Sequence, residues 1–118
     1  MIENKVFYIA GFQIDLFRSV VIKGESQTQV EPKVLQVLLL LATRQNEVVT
    51  HQEIMDDVWL GTEVVPNALQ RCIAILRKVL ADDAKAPTII STHPRIGYRL
   101  IAEVHWQSSP DVQAINQS

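Results

Sequence analysis

The sequence predicts an α+β fold in which a four-stranded antiparallel sheet precedes three helices and a closing β-hairpin. Three observations carry that reading. Residues 5–31 break into short β-branched or alternating runs separated by turn residues. Residues 32–81 carry helical spacing of apolar side chains, opened by Pro32 and restarted by a capping box. Residues 88–104 return to two β-rich runs around Pro94 and Gly97.

Each element follows from its residues. Val6 to Ile9 is apolar and bounded by Gly11, and Phe12 to Leu16 alternates strictly between apolar and polar. Val20 to Ile22 is a third β-branched run, closed by the turn Lys23-Gly24-Glu25-Ser26. Gln27 to Val30 supplies a fourth strand. Strands this close together in sequence pair as hairpins, so the sheet is expected to be antiparallel.

Pro32 suits the first turn of a helix running to about Gln45, where its missing N–H costs nothing. Leu35, Leu38, Leu39 and Ala42 form the expected core face, and Val34, Val37, Leu40 and Leu41 widen it almost all round. A helix this apolar must be covered on several sides. Thr50-His51-Gln52-Glu53 then opens a second helix through Ile54, Met55, Val58 and Trp59, with hydroxyl and carboxylate each satisfying a backbone N–H. Gly61 marks a loop over 60–65.

The third helix, Val65 to Ala81, has two faces. Leu69, Ile73, Leu76 and Leu80 make an apolar stripe, with Pro66 at the first helical position. Asn67, Gln70, Arg71, Ala74, Arg77 and Lys78 lie off that stripe, and no carboxylate is among them. Amides and guanidinium groups can read purine edges or grip phosphates in a DNA major groove. A solvated surface helix would carry the same residue types, so the face needs its context. Beyond a polar stretch over 82–87, Arg95 sits at the tip of the last hairpin. Residues 1–104 are thus expected to form one folded domain: sheet over 5–31, helices over 32–81, hairpin over 88–104. Residues 105–118 read as a linker or tail.

Composition narrows the function. At 118 residues the chain is one domain, and 47% apolar residues place it among globular proteins. A single cysteine, Cys72, excludes an internal disulfide and a cysteine-rich zinc site, and fits a reducing cytoplasm. Between the two faces, Cys72 reads as a packing residue rather than a redox switch. No signal peptide is evident at the start, and the longest apolar run, Val34 to Ala42, is too short to span a bilayer. His51, His93 and His105 are far apart in sequence, and Asp56 and Asp57 diverge by about 100° on a helix, so no metal set or acid–base pair is formed. Neither enzymatic activity nor a cofactor is expected. The net charge of −2 is unevenly spread. Residues 1–63 carry five basic and nine acidic side chains, whereas residues 64–102 carry six basic and two acidic ones. Screening confines the relevant field to about 8–10 Å, so the later segment can present a local phosphate-binding surface.

Three helices followed by a hairpin is the winged helix-turn-helix order, and particular residues sharpen the likeness. They are Val30-Glu31-Pro32-Lys33, Glu47 to Ile54 with Val58-Trp59, Ile73 with Leu76-Arg77-Lys78 and Leu80, and Arg95-Ile96-Gly97-Tyr98-Arg99-Leu100. In this order they resemble the OmpR/PhoB-type winged-helix domain over residues 5–104, and Glu31-Pro32-Lys33 resembles its CadC/ToxR-like branch. The resemblance implies sequence-specific binding of double-stranded DNA in transcription regulation, the third helix entering the major groove and the hairpin wing the minor groove. It puts Asn67, Gln70, Arg71 and Ala74 at base edges and nearby phosphates, Arg77 on a phosphate with Lys78 on the same face, and Arg95 at the wing. Ile75 stands where many response regulators have a base-reading arginine, so the sequence read should differ from theirs. The loop Gly61, Thr62, Glu63 and Val64 stands where such domains can contact RNA polymerase. Self-association on neighbouring half-sites, and a membrane tether in a longer parent chain whose N-terminal domain is cytoplasmic, are further implications. The alternative is a winged-helix module that binds protein without binding DNA, which the acidic balance and Ile75 favour.

Overall fold

A computed structural model describes residues 5–60 and 67–107. Strands β1 (Val6–Ile9), β2 (Phe12–Asp15), β3 (Val20–Lys23) and β4 (Ser26–Gln29) form the expected antiparallel meander. Phe7, Ile9, Ile14 and Val21 are buried, and β4 is exposed along its length. The turn between β2 and β3 is held by Asp15, whose carboxylate accepts the N–H groups of Phe17 at 3.0 Å and Arg18 at 3.2 Å, and the Arg18 Nε at 2.9 Å.

Helix α1 (Pro32–Thr43) starts at Pro32 and buries Val34, Leu35, Val37, Leu38, Leu41 and Ala42. Leu39, expected in the core face, is only half-buried, as is Leu40. The buried arc is centred on the 34, 38, 41 row, and Leu39 lies about 100° round the helix from Leu38. Helix α2 (His51–Trp59) opens on the expected capping box. Thr50 Oγ1 accepts the Glu53 N–H at 3.1 Å, and Glu53 Oε1 accepts the Thr50 N–H at 2.9 Å. Helix α3 spans Ala68–Val79, with Asn67 and Leu80 as its caps. It is shorter at its C-terminal end than the sequence suggests because Ala81 turns into the left-handed region at φ 56°. Val65 and Pro66 lie outside the described residues.

Two strands have no counterpart in the expected pattern. β5 (Val48–Thr50) joins β6 (Ile90–His93) and β7 (Gly97–Leu100) in a second sheet of order β5-β7-β6, so the hairpin is docked on the start of α2. β8 (Val104–Trp106) pairs antiparallel with β1, making the first sheet five-stranded in the order β4-β3-β2-β1-β8. His105 and Trp106, which the sequence places in the tail, belong to this strand. β8 has only three residues and no periodicity of its own, and its stabilisation is non-local. The Trp106 ring packs 5.0 Å from that of Phe7, and Gln45 bridges the crossing segment by donating to Ala102 O at 2.9 Å and accepting from Val104 N at 3.2 Å.

Gly97 is required by the closeness of β5. A Cβ at that position would run into the Val49 carbonyl oxygen and come within 2.8 Å of the Thr50 Cα, both backbone atoms with no side chain to swing away. We therefore expect Gly97→Ala to cost roughly 1–3 kcal/mol or more in urea unfolding, because the paired strands must part. An unchanged midpoint would contradict the Thr50–Gly97 register.

Asp82, just beyond α3, clasps the start of the hairpin. Its carboxylate accepts the backbone N–H groups of Thr88 at 2.8 Å, Ile89 at 3.2 Å and Ile90 at 2.9 Å. Burial pushes its pKa up, but these donors outweigh burial and hold it below the usual carboxylate range. A depressed folded pKa stabilises the fold above the unfolded value, about 3.9. That contribution is lost as pH falls through the folded value. Asp82→Asn should thus cost more stability at pH 7 than near pH 2.5, with the gap closing below about pH 4. Urea titrations of both proteins across that range measure it, and a constant gap would show that the charged form is not what the clasp uses.

Candidate nucleic-acid interface

The inner face of α3 is fixed by burial of Leu69, Cys72, Ile73 and Leu76, with Leu80 buried just past its end. Burial pushes the Cys72 thiol up from its ordinary range, in keeping with a packing role. What remains outside is determined by the helical repeat: Gln70, Arg71, Ala74 and Lys78 are exposed, with Asn67 exposed at the cap. Asn67 holds φ 69°, a left-handed conformation that asparagine tolerates better than most residues, and its side chain does not cap the helix. Ile75 is half-buried and packs against the core.

The expected residues divide into two groups. Asn67, Gln70, Arg71, Ala74 and Lys78 share the exposed surface. Arg77 is half-buried and tied to the hairpin: one Nη donates to Ile90 O at 2.9 Å and to Thr92 Oγ1 at 2.8 Å, both on β6. It fixes α3 against the wing, a role that its spacing alone does not reveal. Arg71 is also engaged. Its Nη2 lies 3.1 Å from Glu31 Oε1, with both side chains 62% exposed. Nothing in the linear sequence links Glu31 to a residue forty positions away.

The wing is a tight turn. Ile96 N–H donates to His93 O at 2.9 Å, and Arg95 sits at its tip, exposed, with φ 67°. A non-glycine residue there is strained modestly, and the turn directs the guanidinium away from the core. Ile96 beside it is 54% exposed, an uncommon place for a large aliphatic side chain. The base of the wing is anchored by the His51 N–H donating to Ile96 O at 3.0 Å and by the His51 and Tyr98 rings at 5.5 Å. Gly61, Thr62, Glu63 and Val64 lie outside the described residues. Among the described residues no group of three or more His, Cys, Asp or Glu side chains could hold a metal, and no helix is long and apolar enough to cross a membrane.

Residues 24–100 match the family described as transcriptional regulatory protein, C terminal. The chain is 44% identical over 71 residues to the cholera toxin transcriptional activator of Vibrio cholerae, a match covering 58% of this chain and 24% of that one. It spans about a quarter of that relative's length. The fold superposes with TM-score 0.77 on the DNA-binding domain of Escherichia coli CadC, at 26% identity, covering 90% of this chain and all of the other. The DNA-binding domain of Klebsiella pneumoniae RstA, solved in complex with the RstA box, superposes with TM-score 0.68 at 22% identity, covering 82% of this chain and 97% of that one.

Proposed function

Because the chain belongs to the transcriptional regulatory protein C-terminal family, as an OmpR/PhoB-type winged helix of the CadC/ToxR-like branch, we propose that it regulates transcription by inserting α3 into the DNA major groove. It is a DNA-binding domain and not an enzyme. The observation that carries the finer reading is the exposed surface of α3, which offers Asn67, Gln70, Arg71, Ala74 and Lys78, and no carboxylate of its own, opposite a fully anchored inner face. Asn67, Gln70, Arg71 and Ala74 meet base edges and nearby phosphates in this reading, because amides and guanidinium groups match the donor and acceptor pattern of purines. Lys78, and Arg77 through the donors it does not spend on β6, meet the phosphate backbone. Arg95 enters the adjacent minor groove, where a guanidinium gains from the enhanced negative potential of A·T-rich DNA.

Phosphate contacts then supply salt-dependent affinity and α3 the specificity. One domain of this size makes few base contacts, so tight binding calls for two copies on neighbouring half-sites. The loop from Gly61 to Val64 precedes α3 and is assigned to RNA polymerase. The parent protein is placed in the cytoplasm at this end and tethered to a membrane further along its chain. These assignments rest on the resemblance to the CadC/ToxR-like branch.

Two measurements test the site. On the best duplex selected from a random library, Arg71→Ala should cost on the order of 1–3 kcal/mol, and less on random DNA. Equal losses on both would make Arg71 a phosphate contact only. Arg95→Ala should leave the fold intact and reduce the slope of affinity against salt by roughly one counterion. Its loss should be larger where the flanking DNA is A·T-rich. An unchanged slope and affinity would mean that the wing does not reach the duplex.

A further inference from the structure

We propose that Glu31, which stands outside α3 at the N-cap of α1, is a positioning residue for Arg71: it holds the guanidinium so that its remaining donors face a guanine edge rather than a phosphate. The inference rests on the reading of α3 given above and deepens it. Glu31 occupies a cap position where a carboxylate could satisfy the first N–H groups of α1 and its helix dipole. It makes no such side-chain cap bond. The carboxylate reaches instead to the Arg71 Nη2 at 3.1 Å.

An ion pair with both partners 62% exposed adds little to stability, so the fold alone gives it no strong purpose. At the reading surface it has three consequences. A guanidinium already paired with a carboxylate is close to neutral as a unit, so it gains less from an approaching phosphate. One Nη is occupied, and the planar fork keeps its other donors in fixed geometry for a two-acceptor edge, which guanine presents in the major groove through N7 and O6. Holding the side chain before binding also reduces the ordering cost on the duplex. Glu31 thereby favours a base contact over a backbone contact at this position.

The test uses the 118-residue chain and the duplex selected as its best site, with each base pair replaced singly. Wild-type protein should lose about tenfold or more in affinity when one particular G·C pair is replaced. Arg71→Ala should abolish that discrimination. Glu31→Gln should reduce it several-fold at the same pair only, while affinity for random duplex rises because a negative charge has been removed. Glu31→Asp should restore part of it, and Glu31→Gln in the Arg71→Ala background should add no further loss of discrimination. Unchanged thermal midpoints for these surface variants separate recognition from folding, and Glu31→Ala repeats the test should Glu31→Gln unfold. The proposal is overturned if Glu31→Gln keeps full discrimination at that pair, or if it lowers discrimination equally at pairs that Arg71→Ala leaves unaffected. If Arg71→Ala changes discrimination nowhere, Arg71 is a phosphate contact only and the role of Glu31 falls with it, while the assignment of α3 as the reading helix fails only if Gln70→Ala and Asn67→Ala change discrimination nowhere either.

Discussion

Six of the twelve residues of α1 are withdrawn from water, and they face more than one neighbour. No single helix or sheet can cover such an arc, so α2, α3 and β7 must all come to it. Burying a side chain of Val or Leu size contributes about 1.5–3 kcal/mol, so α1 organises a large share of the core. Once Leu69, Ile73 and Leu76 are pressed inward, the helical repeat leaves Gln70, Arg71, Ala74 and Lys78 nowhere to go but outward. The composition of the exposed surface is therefore a consequence of the core.

A second constraint makes that surface usable. The separation of α3 and the hairpin is fixed by two polar contacts and one close backbone approach. Arg77 bonds β6, Asp82 collects the N–H groups at the start of the hairpin, and Gly97 lets β7 close on β5 at the mouth of α2. These contacts join the last turn of α3, the first turn of α2 and the hairpin into one rigid frame. Exposed cations on such a frame keep their spacing. The rest of the chain is acidic and brings the net charge of the whole to −2, which limits indiscriminate attraction to phosphate.

Legibility in the sequence followed the range of the interactions. The capping box at Thr50, the Pro32 start of α1, the β1 to β3 runs and the buried stripe of α3 all rest on neighbours a few residues apart, and each was readable. β5 and β8 were not, because three residues carry no period and gain their stability from Tyr98 and Phe7, partners distant along the chain. The same limit applies to the interface. Asn67, Gln70, Arg71, Ala74 and Lys78 could be placed on one exposed surface by counting. That Arg77 is spent on the hairpin, and that Glu31 pairs with Arg71, depends on contacts thirteen to forty residues apart. Arg95 at the wing tip was evident because Pro94 and Gly97 mark the turn. Tertiary polar contacts are the layer that periodicity does not reach.

The central claim is that duplex DNA is gripped by the outer face of α3 together with the wing. It is tested most directly by titrating isotope-labelled protein with its selected duplex and following the backbone amide resonances residue by residue. The account predicts the largest changes over residues 67–78 and 93–97, with β2, β3, β4 and the Leu39–Leu40 side of α1 left quiet. Changes concentrated on the five-stranded sheet or on the outer side of α1, with α3 unperturbed, would contradict it.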